Sequence, residues 1–139
     1  QYTPTYLEKG WDAAANADAA IDRLAIDEAV AAIWTIVDAL NGYITENEPW
    51  ALAKDDAQRE RLGTVLYTAA EGLRALAVLM SPVIPKACET LWIALGAAET
   101  LGRLRDQPIR DAGTWGQLKP GSSVNGLAPL FPRVESTID

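Results

Sequence analysis

The sequence contains no histidine and a single cysteine among its 139 residues. Without histidine there is no Ser-His-Asp or Cys-His relay and no zinc site that uses an imidazole. A lone cysteine cannot close an internal disulfide. Cys88 stands near Leu91 and Trp92, where it reads as a small core hydrophobe, and it points to a reducing, cytoplasmic home. No apolar run approaches the roughly 18 residues that a membrane span needs, and no signal peptide opens the chain. Bases are scarce in the first third. Residues 1–50 hold nine acids against Lys9 and Arg23, whereas residues 51–139 hold ten of each sign, and the net charge is -7. A uniformly basic nucleic-acid glove is excluded, as is a polybasic membrane patch. Any nucleic acid must be touched locally.

What the chain has is alanine, 24 times, and long stretches without proline, 5–48 and 50–81. Both favour long helices. Ile26, Val30, Ile33, Val37, Leu40 and Ile44 step by four and three, predicting one apolar stripe over five turns. Leu62, Leu66, Ala69, Leu73, Leu76 and Met80 repeat the pattern, and Ile84, Cys88, Leu91 and Leu95 form a third stripe. Three helices with one apolar face each predict an all-α bundle. Thr5-x-x-Glu8 and Asn16-Ala17-Asp18 suggest one or two shorter helices before Ile26. Asp55 and Asp56 offer an N-cap to the second long helix, with Gln58 placed as in a capping box. Ser81-Pro82 is read as the stop of that helix and the start of the next, and Gly96 as a C-cap. Residues 1–105 are assigned to the bundle. Residues 106–139 carry four prolines and four glycines and are read as an irregular C-terminal tail, packed on the bundle through Trp115, Leu118, Leu130 and Phe131.

Candidate chemistry is sparse. Glu46, Glu48, Asp55 and Asp56 form a carboxylate cluster at a helix–helix turn, but acids near a helix N-terminus complement its dipole and need no further role. The glycines of 121–126 make no phosphate loop, because no Gly-Lys-Ser/Thr follows. No catalytic residue and no metal site are assigned. The five tryptophans are Trp11, Trp34, Trp50, Trp92 and Trp115, against one phenylalanine. Trp34 and Trp92 adjoin stripe residues and are expected in the core or at its edge. Trp50 follows Pro49 at the turn between two long helices. It either covers the end of the core or offers a platform on which an unpaired base can stack. The residues by themselves leave both open.

Asn41-x-Tyr43 followed by Pro49-Trp50-x-Leu52-Ala53-Lys54 resembles the anticodon-binding domain of methionyl-tRNA synthetases. So do Glu71-Gly72-Leu73-Arg74, the run Leu79-Met80-Ser81-Pro82-Val83-Ile84-Pro85, and the closing Trp115-Gly116-x-Leu118-x-Pro120-Gly121 and Pro129-Leu130-Phe131-Pro132-Arg133-Val134-Glu135. The resemblance covers most of residues 16–135 and is closest to bacterial members. It implies a helical bundle appended to a nucleotide-binding catalytic domain. It also implies that Trp50 stacks on the first base of a CAU anticodon, with Pro49 beside it. Lys54 is a candidate for a backbone phosphate, and Asn41 for a supporting contact. The implied partners are the initiator and elongator tRNAs with that anticodon and the catalytic domain of the same enzyme. ATP and Mg belong to that absent domain, and no cofactor is expected in this chain. The family's Asn-x-x-x-Arg pair and its two ATP signatures, His-Ile-Gly-His and Lys-Met-Ser-Lys-Ser, are missing here. The chain is therefore expected to be a synthetase's C-terminal part, without activity alone and with weak tRNA affinity. Its end soon after Glu135 suggests a monomeric parent without an appended dimerisation module. Two other readings are the helical domain of a leucyl, valyl or cysteinyl synthetase, and a helical protein-interaction module. The latter would bury Trp50 among Leu40, Ile44 and Leu62.

Overall fold

The computed structural model describes the backbone of residues 5–121 and the side chains of 12–121. Its helices are α1 (Thr5–Asp22), α2 (Ile26–Asn47), a single turn α3 (Pro49–Leu52), α4 (Arg59–Met80), α5 (Pro85–Ala94) and a short α6 (Ala97–Leu101). Three 3-10 turns, Asp56–Gln58, Leu104–Asp106 and Ile109–Asp111, complete the order, and there is no strand among the described residues. The expected all-α bundle is what forms: α1 packs along α2, α2 against α4, and α4 against α5.

The segment before Ile26 is one helix rather than two. Asn16 and Asp18 lie inside it, and the buried Ala13, Ala14, Ala17 and Ala20 make a small-residue face against α2. The helix ends in a Schellman motif. Ala25 N–H donates to the Ala20 carbonyl at 2.8 Å and Leu24 N–H to the Ile21 carbonyl at 2.9 Å. Leu24 takes the left-handed position there, with φ 59°.

Two stripes are rotated from their expected register. The face that α2 buries is Ala29, Ile33, Ile36, Ala39, Tyr43 and Asn47. Ile33 is central, but Val30, Val37, Leu40 and Ile44 flank the core and Ile26 is exposed. Alanines sit at the closest helix contact, and the branched side chains fill its sides. On α4 the buried residues include Val65, Thr68, Glu71, Arg74, Ala77 and Val78, while Leu66 is exposed and Leu73 half-buried. Polar side chains occupy the inner face there because they bind the following segment. Where α4 meets α2, a Cβ on Gly72 would stand 2.9 Å from Leu40 Cδ1, so a larger residue there would have to displace the end of the Leu40 side chain. The third stripe holds its register, with Cys88 and Leu95 buried.

Asp55 does cap, accepting from Ala57 N–H at 3.0 Å, but it caps the 3-10 turn before α4 and not α4 itself. Ser81-Pro82 lies in a turn, and it is Pro85 that opens α5 at its first position. Gly96, at φ 74°, breaks the chain between α5 and α6. Trp92 is fully buried, and its Nε1–H donates to the Gly102 carbonyl at 2.9 Å. Trp34 departs from expectation: it is 58% exposed.

Asp56–Met80 passes the length and composition test for a membrane-spanning helix, with an 18-residue window of mean hydropathy 1.3. The sequence expectation that no apolar run approaches a membrane span does not hold for this segment by length and composition. Its place is that of a core helix, contacting α2, α3 and α5 and holding an ion pair at its middle. That pair is Glu71–Arg74, joined at 2.9 Å with side chains 0% and 2% exposed. Arg74 Nη2 donates to the carbonyls of Ala112 and Thr114, both at 3.0 Å, and Leu118 N–H donates to Glu71 Oε1. Tyr67 adds a hydrogen bond from its hydroxyl to the Leu118 carbonyl at 2.8 Å and an edge-on contact with Trp115. The segment after α6 is thus fastened to α4 by a buried polar clamp, with Leu104, Ala112 and Leu118 joining the core. Leu130 and Phe131, the other two expected anchors, lie outside the described residues.

Candidate nucleic-acid interface

The turn between α2 and α4 is built by its own residues. Tyr43 and Asn47 face inward, so α2 reaches its end with its last side chain buried. Asn47 Nδ2 turns back to donate to the Tyr43 carbonyl at 2.9 Å, and its Oδ1 accepts from Arg61 Nη2 at 3.4 Å. Glu48 then adopts φ 44°, ψ 61°. For a non-glycine residue this left-handed conformation costs about 1–2 kcal/mol. Three backbone hydrogen bonds hold it. Its N–H donates to Ile44 O at 3.1 Å, and its carbonyl accepts from Ala51 N–H at 2.8 Å and Leu52 N–H at 3.2 Å. Pro49 opens α3 at the first helical position, where its fixed φ fits and its missing N–H is no loss.

This geometry turns Trp50 outward, 56% exposed. Exposure of that size at a turn is the opposite of a core plug among Leu40, Ile44 and Leu62. Lys54 is exposed where the turn ends, its N–H bound to the Ala51 carbonyl at 3.2 Å, and Arg59 is exposed at the start of α4. Pro49, Trp50 and Lys54 therefore share one turn. Asn41 stands apart from them, exposed on α2 six residues before its end, roughly 9 Å along the axis. Its carbonyl accepts from Thr45 Oγ1 at 2.8 Å. Trp34, Asp38, Asn41 and Thr45 line up on the outer face of α2.

Among the described residues no group of three His, Cys, Asp or Glu side chains could hold a metal ion. Burial pushes the Cys88 thiol above its ordinary range, which keeps it protonated and unreactive. A shallow groove between α4 and α5, lined by Leu76, Met80, Ile84 and Leu91 among others, is wholly apolar. Arg61 was not anticipated as part of the turn, and no spacing in the sequence signals its bond to Asn47.

Fold and turn together define a small all-helical module that exposes Trp34 on α2 and Trp50 on the turn, and that carries no catalytic constellation among its described residues. The chain belongs to the family of the anticodon-binding domain of methionyl tRNA ligase, whose model matches residues 7–137. Similar proteins include the methionine–tRNA ligase of Streptomyces coelicolor, 48% identical over 126 residues, covering 88% of this chain and 23% of that protein. That of Deinococcus radiodurans is 43% identical over 141 residues (98% of this chain, 20% of that protein), and that of Caldanaerobacter subterraneus 39% over 115 residues (83% and 17%). The chain spans about a fifth of the length of these curated relatives.

Proposed function

We propose that this chain is the anticodon-reading part of a cytoplasmic methionine–tRNA ligase, the enzyme that joins methionine to its tRNA at the expense of ATP. The observation that carries the reading is the exposed Trp50 ring on a turn held by Pro49 and Glu48. In this reading the first base of the CAU triplet, in initiator and elongator tRNA alike, leaves its stack and lies on Trp50. Such a contact is worth about 1–3 kcal/mol. Pro49 fixes the turn beneath it, Lys54 meets a backbone phosphate, and Asn41 supports the loop from the outer face of α2. Recognition by one stack and a few local contacts suits a chain with a net charge of -7, which has no broad basic surface to offer.

The residues of this chain do not fit ATP or Mg: the sequence has no phosphate loop, and the described residues have no metal-ligand cluster. Both belong to the catalytic domain with which this module works in the parent enzyme. The test is a titration of the 139-residue chain with an RNA hairpin carrying the CAU triplet in its loop, beside hairpins in which each base of the triplet is exchanged. Binding that weakens when the triplet changes supports the reading. Equal binding to every loop overturns it.

A further inference from the structure

Trp50 is useful as a platform only if its turn keeps one pose, and the structure shows what keeps it. Residues 48–58 connect the end of α2 to the start of α4, and they are mostly exposed. The base of this loop is crossed by a side-chain bond from Arg61 Nη2 on the first turn of α4 to Asn47 Oδ1 at the last position of α2, 3.4 Å. Asn47 is only 5% exposed, and its other polar atom is spent on the Tyr43 carbonyl. One side chain therefore ties together the last turn of α2, through Tyr43, and the first turn of α4, through Arg61. Glu48 and Pro49 follow it directly, so a shift of Asn47 is passed to Trp50 through two residues of turn.

We infer that Asn47 and Arg61 are positioning residues, a clamp that holds the Trp50 turn in its base-accepting pose before RNA arrives. This rests on the stacking role proposed for Trp50. A preformed turn spares the complex the ordering of a flexible loop, which would otherwise weaken a contact as small as one stack. Neither residue touches the base; both act through Trp50.

The test uses the 139-residue chain labelled with 5-fluorotryptophan, its Trp50 line assigned with Trp50→Phe. Asn47→Ala and Arg61→Gln should each shift and broaden the Trp50 fluorine line while that of the buried Trp92 stays in place. Arg61→Lys, which keeps a cationic donor for Asn47 Oδ1, should return the Trp50 line towards that of the unaltered chain. In titrations with the CAU hairpin, Asn47→Ala should lose roughly five-fold in affinity, the size of one hydrogen bond. It should lose nothing further when Trp50 is already alanine. If Asn47→Ala does not fold, Arg61→Gln carries the same readouts, since its side chain is exposed. A Trp50 line unmoved by the folded variants overturns the clamp, as does an equal loss of affinity in the Trp50→Ala background. Trp50→Ala alone separates the two ideas. If it binds as the unaltered chain does, the stacking role falls and the clamp with it. If it binds weakly while Asn47→Ala is unaffected, only the clamp falls.

Discussion

Arg74→Met should be among the most damaging single changes in this protein, although arginine to methionine keeps most of the side-chain volume. Arg74 is 2% exposed and makes three hydrogen bonds, to Glu71 Oε2 and to the carbonyls of Ala112 and Thr114. Methionine fills the space but leaves the Glu71 carboxylate, 0% exposed, as an uncompensated buried charge. Removing one member of such a pair costs about 3–5 kcal/mol. A domain's whole stability is about 5–15 kcal/mol, so the loss is about a fifth of it or more. Glu71→Gln/Arg74→Met should recover part of the loss, because the orphaned charge goes with the guanidinium. It should remain below the unaltered chain, since two carbonyls lose their donors. Urea unfolding followed by far-UV circular dichroism gives the energies, and the near-UV signal reports whether Trp115 still packs on Tyr67. A loss below about 1 kcal/mol for Arg74→Met, or a double variant worse than the single one, would refute the clamp between α4 and the segment after α6.

Other outcomes follow from the same packing. Trp92→Ala should cost about 3–5 kcal/mol, since a fully buried indole and its bond to Gly102 are both lost; a thermal melt checks it. Leu73→Ala should cost less than the roughly 2–5 kcal/mol of a buried leucine, because Leu73 is only half-buried, and Leu66→Ala less again; a larger effect at Leu66 would mean the register of α4 is wrong. The Tyr67 hydroxyl is held above its ordinary value of 10.0, by burial first and the nearby Glu71 second, against the pull of Arg74. The folded state therefore keeps this proton longer than the unfolded chain does. The stability it contributes is present below about pH 10 and lost as pH rises through the folded value. Melting temperatures measured from pH 9 upward should fall, and Tyr67→Phe should flatten that fall.

The helices were legible because alanine-rich, proline-free stretches leave little alternative, and the α5 stripe was legible because Cys88 and Leu95 are both apolar and inward. The registers of α2 and α4 were not. On α2 the closest contacts belong to alanines, which periodicity weighs lightly beside Val30, Val37 and Ile44. On α4 the inner face includes Glu71 and Arg74, whose charge gave no hint that the segment around Ala112, Thr114 and Leu118 would satisfy them. Trp34 looked like core because it adjoins Ile33, yet one residue along a helix is a turn of about 100°, enough to carry it to the solvent side. At the candidate site the Pro49-Trp50 turn was visible in the sequence. The bond from Arg61 to Asn47 was not, since the two are brought together only when α4 folds back on α2.

The stacking role of Trp50 is tested most directly by combining Trp50→Ala with a CAU hairpin whose first triplet position is abasic. With the intact hairpin, Trp50→Ala should cost about 1–3 kcal/mol of binding and leave the melting temperature unchanged, because Trp50 is 56% exposed. With the abasic hairpin the same substitution should cost nothing more, since the base it would have lost is already gone. Undiminished binding by Trp50→Ala, or the same loss against both hairpins, would contradict the account.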